Sequence, residues 1–139
     1  MESLDYSKSL EQIENDYWDE AEYDSYVVRT CHSMRKKPLS EVTIEELRLV
    51  IGQGFSLEYL MPIAIEKLNE NILAHGDLYG GDLFFNVISK NTIDYWKSHK
   101  EDWKALLELY NKNKDVIDSS LSSTKPFVKN FENFKIIHD

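Results

Sequence analysis

Cysteine, glycine and proline are all scarce in this chain of 139 residues, which contains one cysteine, five glycines and three prolines. A single cysteine excludes an internal disulfide and a zinc site built from several thiolates, and it favours a reducing compartment. The low glycine and proline content argues against a turn-rich sandwich or barrel and favours helices. No apolar run reaches the roughly 18 residues that span a membrane, and the N-terminus has no signal-peptide pattern. We therefore expect a cytoplasmic protein.

Basic residues are nearly absent from the first 24 positions, where nine carboxylates accompany Lys8 and give −8 of the chain's net charge of −9. Such a field repels nucleic acid and anionic lipid, whose recognition needs basic groups. It serves either solubility or the attraction of a basic protein. Interleaved aromatic residues favour the second interpretation, because a purely solvating segment is poor in them. These aromatics are Tyr6, Tyr17, Trp18 and Tyr23.

Apolar residues recur at helical spacing along most of the chain, and no stretch indicates a strand. We predict an all-α protein: a single compact domain of six or seven short helices over residues 1–118. The tail, 119–139, is predicted to be packed or partly ordered, as a final helix or an extended segment pinned by Phe127, Phe131 and Phe134. Capping boxes are predicted at Thr43 to Glu46 and at Ser98 to Glu101, and Ser9 and Ser56 are predicted caps. The predicted core contains Cys31, Leu47, Ile51, Leu60, Ala64, Val87, Trp103 and Leu107.

The predicted helix from Ser25 to about Lys36 carries an apolar stripe that includes Cys31 and Met34. Basic residues are expected mostly outside this stripe, near the C-terminal end of the helix, where the helix dipole favours cations. They are Arg29, His32, Arg35 and Lys36. The pattern therefore predicts an amphipathic helix.

Little in the chain indicates catalysis. The four histidines show no paired metal-ligand spacing, and adjacent Cys31 and His32 point about 100° apart on a helix. His75 with Asp77, in a glycine-rich loop, is the best acid/base pair, but no nucleophile or phosphate cradle accompanies it. We predict that the protein is not an enzyme and has no cofactor and no metal site.

Several stretches, in this order and spacing, resemble the bacterial contact-dependent growth inhibition (CDI) immunity proteins. The resemblance spans about residues 9 to 110. It is carried by LEQIE at 10–14, DSYVVRTCH at 24–32, TIEELR at 43–48, LEYL at 57–60 and GDLYGGDL at 76–83. The chain departs from the family pattern at Gly80, where members often have proline, and at His75, where they often have glutamate. These departures concern the geometry of one loop.

The resemblance implies an immunity protein that neutralises the C-terminal toxin domain of a cognate CDI effector in a one-to-one heterodimer, without catalysis. Toxins of these systems are commonly nucleases, whose basic sites would suit the acidic segment. The predicted toxin-binding residues are Glu14, Asp16, Trp18, Asp19, Glu20, Glu22, Tyr23 and Asp24. A second candidate loop contains His75, Asp77, Tyr79 and Asp82. Two alternatives stay open: an acidic helical adaptor of a basic cytoplasmic protein, and Trp18 as an internal anchor.

Overall fold

The computed structural model describes residues 5–18, 25–74, 76, 82–120 and 134. Within these ranges the chain forms helices and no β-strand, which confirms the all-α prediction. Short 3₁₀ turns occupy Leu39–Glu41 and Lys90–Thr92. The α-helices are α1 (Leu10–Glu14), α2 (Tyr26–Arg35), α3 (Ile44–Gly52), α4 (Leu57–Glu70), α5 (Asp82–Val87), α6 (Ile93–Ser98), α7 (Lys100–Lys112) and α8 (Lys114–Ser120).

The described ranges thus hold eight α-helices, one more than the upper predicted number. The additional boundary lies at Asn113, whose φ of −109° and ψ of 18° interrupt the helical backbone between α7 and α8. Its side chain bonds the carbonyl of Leu109 at 2.9 Å, a local bond that competes with helix continuation. Apolar periodicity runs across this break, so spacing alone does not reveal it.

Two helix starts were correctly predicted from the sequence. Thr43 Oγ1 accepts from the Glu46 backbone at 3.2 Å, and Glu46 Oε1 accepts from the Thr43 backbone at 2.9 Å, which forms the capping box of α3. Ser9 caps α1 in the same way, with Gln12 as its partner. The box predicted at Ser98 is wrong. Ser98 is the last residue of α6, whereas a capping residue needs non-helical backbone just before its helix.

The core lies around α3, which packs against α2, α4 and α5, while α7 covers α4. All the predicted core residues are buried except Leu107, which is half-buried. The buried face of α7 is instead completed by Leu106 and Leu109. Leu107 follows Leu106 by about 100° around the helix and therefore lies at the flank of the apolar face.

Residues near both ends of the chain contact this helical body. Leu39 and Ser40 donate backbone hydrogen bonds to the carbonyls of Lys8, at 3.0 Å, and Tyr6, at 2.9 Å. Phe134 is buried with its ring 5.7 Å from that of Trp103. The N-terminal segment that precedes α1 is therefore held beside the turn that follows α2. The domain division at residue 118 stays a prediction.

Candidate protein-binding surface

The predicted binding residues fall into two groups. Five residues of the acidic segment lie outside the described residues, and so do three of the second loop: Asp19, Glu20, Glu22, Tyr23, Asp24, His75, Asp77 and Tyr79. The structure describes Glu14, Asp16 and Trp18 at the start of the acidic segment, and Asp82 at the end of the loop.

The start of the acidic segment is organised by Arg35, whose side chain is 4% exposed. Its Nη1 donates to Glu14 Oε1 at 2.6 Å, and its Nη2 donates to the backbone carbonyl of Asp16 at 2.7 Å. Ser56 Oγ donates to the same Glu14 carboxylate at 3.1–3.2 Å. The guanidinium carbon lies 4.4 Å from the centre of the Trp18 ring. We name Glu14, Asp16, Trp18, Arg35 and Ser56 the Arg35 cluster.

Trp18 is half-buried and acts as an anchor in this structure. Besides stacking on Arg35, its ring makes edge contacts with His32, at 5.1 Å between centroids, and with Phe55, at 5.4 Å. Such geometry lets the ring edges of one side chain meet the face of another. The indole therefore attaches the acidic segment to α2 and to the turn between α3 and α4.

Asp16 and Tyr17 face outward from the same segment. The Tyr17 side chain is 61% exposed and that of Asp16 is 64% exposed, with its Oδ2 3.9 Å from Arg35 Nη2. Phe55, whose ring contacts that of Trp18, is 42% exposed. Tyr17 and Phe55 were not named among the toxin-binding residues: Tyr17 lies within the predicted acidic, aromatic segment, and Phe55 lies outside it.

Two backbone conformations distinguish the Arg35 cluster. Asn15 and Ser56 are the non-glycine residues with positive φ among those described, at 51° and 53°. The left-handed region is uncommon for residues with a β-carbon. At Ser56 this conformation turns the hydroxyl to Glu14 and leaves α4 without a side-chain cap, so the predicted cap is wrong.

The basic residues of α2 were expected mostly outside its apolar stripe; Arg29 and Lys36 are exposed, whereas Arg35 is buried and departs from that expectation. Arg35 lies four residues after Cys31, and both are buried, because residues at this spacing share one face of a helix. That spacing was the available signal in the sequence, although arginine is rarely buried unless it is paired.

Asp82 belongs to a second internal network. Its side chain is fully buried, lies 3.6 Å from Arg48 Nε, and accepts from the Gly76 backbone at 2.8 Å. Arg48 also forms an ion pair and hydrogen bond with Glu45, and these raise the pKa of the guanidinium. The Glu45 carboxylate in turn accepts from the Tyr26 hydroxyl at 2.8 Å. Asp82 thus holds the ends of its loop, and a partner would not reach its carboxylate.

The described residues hold no group of three metal-binding side chains. Cys31 is buried, and this burial raises the pKa of its thiol and disfavours the nucleophilic thiolate. The His99 ring stacks on Tyr95, with centroids 3.9 Å apart. Cys31 and His99 are therefore packed side chains in this structure.

The described residues form a small helical protein with an acidic, aromatic edge. The profile of the family of CDI immunity proteins matches residues 12–106. The chain belongs to this family, as its resemblance in sequence predicted. No curated protein and no solved structure matches the chain significantly. In the part of the chain that the structure describes, no helix has the length and apolarity to cross a membrane.

Proposed function

We propose that this immunity protein binds the C-terminal toxin domain of its cognate CDI effector and inhibits it as a one-to-one complex in the cytoplasm. Membership of the family of CDI immunity proteins supports an immunity role and carries the proposal. Inhibition is by occupancy, without catalysis, cofactor or metal. The helical domain of residues 1–118 is the binding unit, and the acidic segment from Glu14 to Asp24 is the principal contact.

The charge distribution supports a basic partner. The segment from Glu14 to Asp24 contains six of the chain's carboxylates and no basic residue. Because burying so many like charges inside a domain costs too much, we expect most of them at the surface. An opposing basic surface would relieve their repulsion and would raise the association rate toward ~10⁸ M⁻¹s⁻¹.

A nuclease is the toxin class that best fits this charge. Nucleases bind phosphates through lysine and arginine, so their active sites present basic surfaces. Carboxylates accept paired hydrogen bonds from arginine and can compete with phosphate for the same side chains. The proposed complex therefore blocks nucleic acid binding by the toxin domain.

Within this proposal the described residues of the acidic segment have different roles. Asp16 is exposed and contacts the toxin directly, whereas Glu14 and Trp18 hold the segment through Arg35. The loop that ends at Asp82 is a secondary contact. Its buried carboxylate supports the loop and does not touch the partner.

The test is a four-fold neutralisation of the acidic segment, with Asp16→Asn, Asp19→Asn, Glu20→Gln and Glu22→Gln. A control variant removes four exposed charges from α4, α6 and α7: Glu66→Gln, Glu70→Gln, Asp94→Asn and Glu101→Gln. Both variants change the net charge equally, so only the position of the charges differs. We expect the first to associate at least tenfold more slowly with the toxin domain at low salt, with a weaker salt dependence.

Toxin inhibition is measured with the same proteins. Nucleic acid cleavage by the purified toxin domain should be suppressed by the unaltered chain and by the control variant at equimolar amounts. Equal effects of the two variants would show that net charge alone matters. Absence of binding by the unaltered chain would refute the proposed function.

A further inference from the structure

The Arg35 cluster combines features that a small domain does not need for stability. A buried guanidinium contacts three consecutive parts of one segment: the Glu14 carboxylate, the Asp16 carbonyl and the Trp18 ring. Its Nε is buried and finds no acceptor among the described residues. Ser56, a member of the cluster, has a positive φ of 53°, whereas the positive φ of Asn15 beside it is the usual left-handed C-cap of α1.

These features oppose stability more than they favour it. A buried ion pair is often no more stabilising than apolar side chains of the same volume, because both charges lose their hydration. A buried donor without an acceptor and left-handed backbone each add a cost. Local conflicts of this kind concentrate where a protein sacrifices stability for a required geometry.

The geometry that the cluster fixes is the outward presentation of Asp16 and Tyr17. Trp18 is half-buried against Arg35, whereas its neighbour Tyr17 is 61% exposed. The Phe55 ring makes an edge contact with the Trp18 ring and is 42% exposed. A carboxylate and two exposed aromatic rings therefore adjoin one anchored indole, Asp16 and Tyr17 through the chain and Phe55 through its ring contact.

Resting on the proposed function, we propose that Asp16, Tyr17 and Phe55 form a preorganised contact surface for arginine and lysine side chains of the toxin domain. Arg35 is the residue that positions this surface. Cations bind both carboxylates and the faces of aromatic rings, so the chemistry of the three side chains selects a cationic partner. A tyrosine held by its backbone loses little entropy on binding, which is the property of interface hot spots.

The first test is Tyr17→Ala, with Tyr6→Ala as the matched control. Both tyrosines are exposed, and both precede α2, but Tyr17 lies between two members of the Arg35 cluster, whereas Tyr6 does not. The Kd for the purified toxin domain is measured by calorimetry at fixed salt. We expect Tyr17→Ala to raise the Kd at least tenfold and Tyr6→Ala to leave it within twofold.

The second test is Arg35→Lys, with Arg29→Lys on the same helix as the control. Each variant keeps the positive charge and removes a planar guanidinium from α2, but Arg29 is exposed and belongs to neither proposed contact. Urea unfolding confirms that more than about 99% of each variant is folded, in which case instability alone changes the Kd by about 1%. We expect Arg35→Lys to raise the Kd at least fivefold and Arg29→Lys to change it less than twofold.

The double variant Tyr17→Ala with Arg35→Lys separates positioning from packing. If Arg35 acts by holding Tyr17, the double variant should lose less affinity than the product of the single losses. Unchanged affinity of Tyr17→Ala while the unaltered chain binds would overturn this inference and leave the proposed function standing. A loss in Arg29→Lys but not in Arg35→Lys would place the contact on the exposed face of α2 and overturn it as well. Absence of binding by the unaltered chain would refute both.

Discussion

Gly76→Ala tests how the loop that ends at Asp82 is held on α3. An alanine β-carbon at this position would lie 2.7 Å from Glu45 Cα and 3.0 Å from Glu45 Cβ, and would collide with Glu45 Oε1. The carboxylate can rotate away, but the Cα belongs to the backbone of α3 and cannot. The variant must therefore move the loop away from the helix.

The magnitude follows from two terms. Overpacking against backbone costs about 1–3 kcal/mol. The displaced loop also weakens the hydrogen bond from the Gly76 amide to the buried Asp82 carboxylate, 2.8 Å long, and bonds to charged groups contribute about 1.5–3 kcal/mol. We expect a loss of about 3 kcal/mol, which lowers Tm by roughly 10 °C in a domain of this size.

Urea unfolding monitored by tryptophan fluorescence measures this loss. Gly52→Ala is the matched control, because its β-carbon would meet only the movable end of the Asn86 side chain, 2.6 Å away. We expect Gly52→Ala to lower the free energy of unfolding by less than about 1 kcal/mol. Glu45→Ala should not rescue Gly76→Ala, since it retains the Cα. A Tm shift below about 2 °C, or rescue by Glu45→Ala, would refute the close backbone contact.

Three further predictions concern the core. Leu60→Ala, which empties a fully buried site on α4, should lower the free energy of unfolding by ~2–5 kcal/mol in urea titrations, against no change for Glu58→Ala. Burial, and then the hydrogen bond to Asp102, raise the pKa of the Tyr95 hydroxyl in the folded state. Above about pH 10 the unfolded chain therefore loses the hydroxyl proton while the folded protein keeps it. Stability should therefore fall above pH 10, and less steeply in Tyr95→Phe; identical slopes would contradict this. Burial raises the pKa of Cys31, so iodoacetamide should label it at least tenfold faster in urea than in native buffer.

Local patterns in the sequence were sufficient to predict the helical class, the caps at Ser9 and Thr43, and most of the core. These features depend on residues within one or two turns of each other. The spacing of Leu47 with Ile51, and of Leu60 with Ala64, defines buried faces without reference to the rest of the chain. The ordered motifs from LEQIE to GDLYGGDL likewise predicted the family, because they can be compared along the chain without knowledge of contacts.

The tertiary structure decided which polar and aromatic side chains are internal. Arg35 is buried because Glu14 and Ser56, each 21 residues away in sequence, supply its partners. In this arrangement Trp18 packs on Arg35, Tyr17 stays exposed, and the Ser56 hydroxyl does not make the cap of α4 that was expected. Asp82 is internal for the same reason, since Arg48 and Gly76 meet it across the fold. A charged side chain is buried only where partners distant in sequence replace its hydrating water. The spacing of residues along one helix does not reveal those partners.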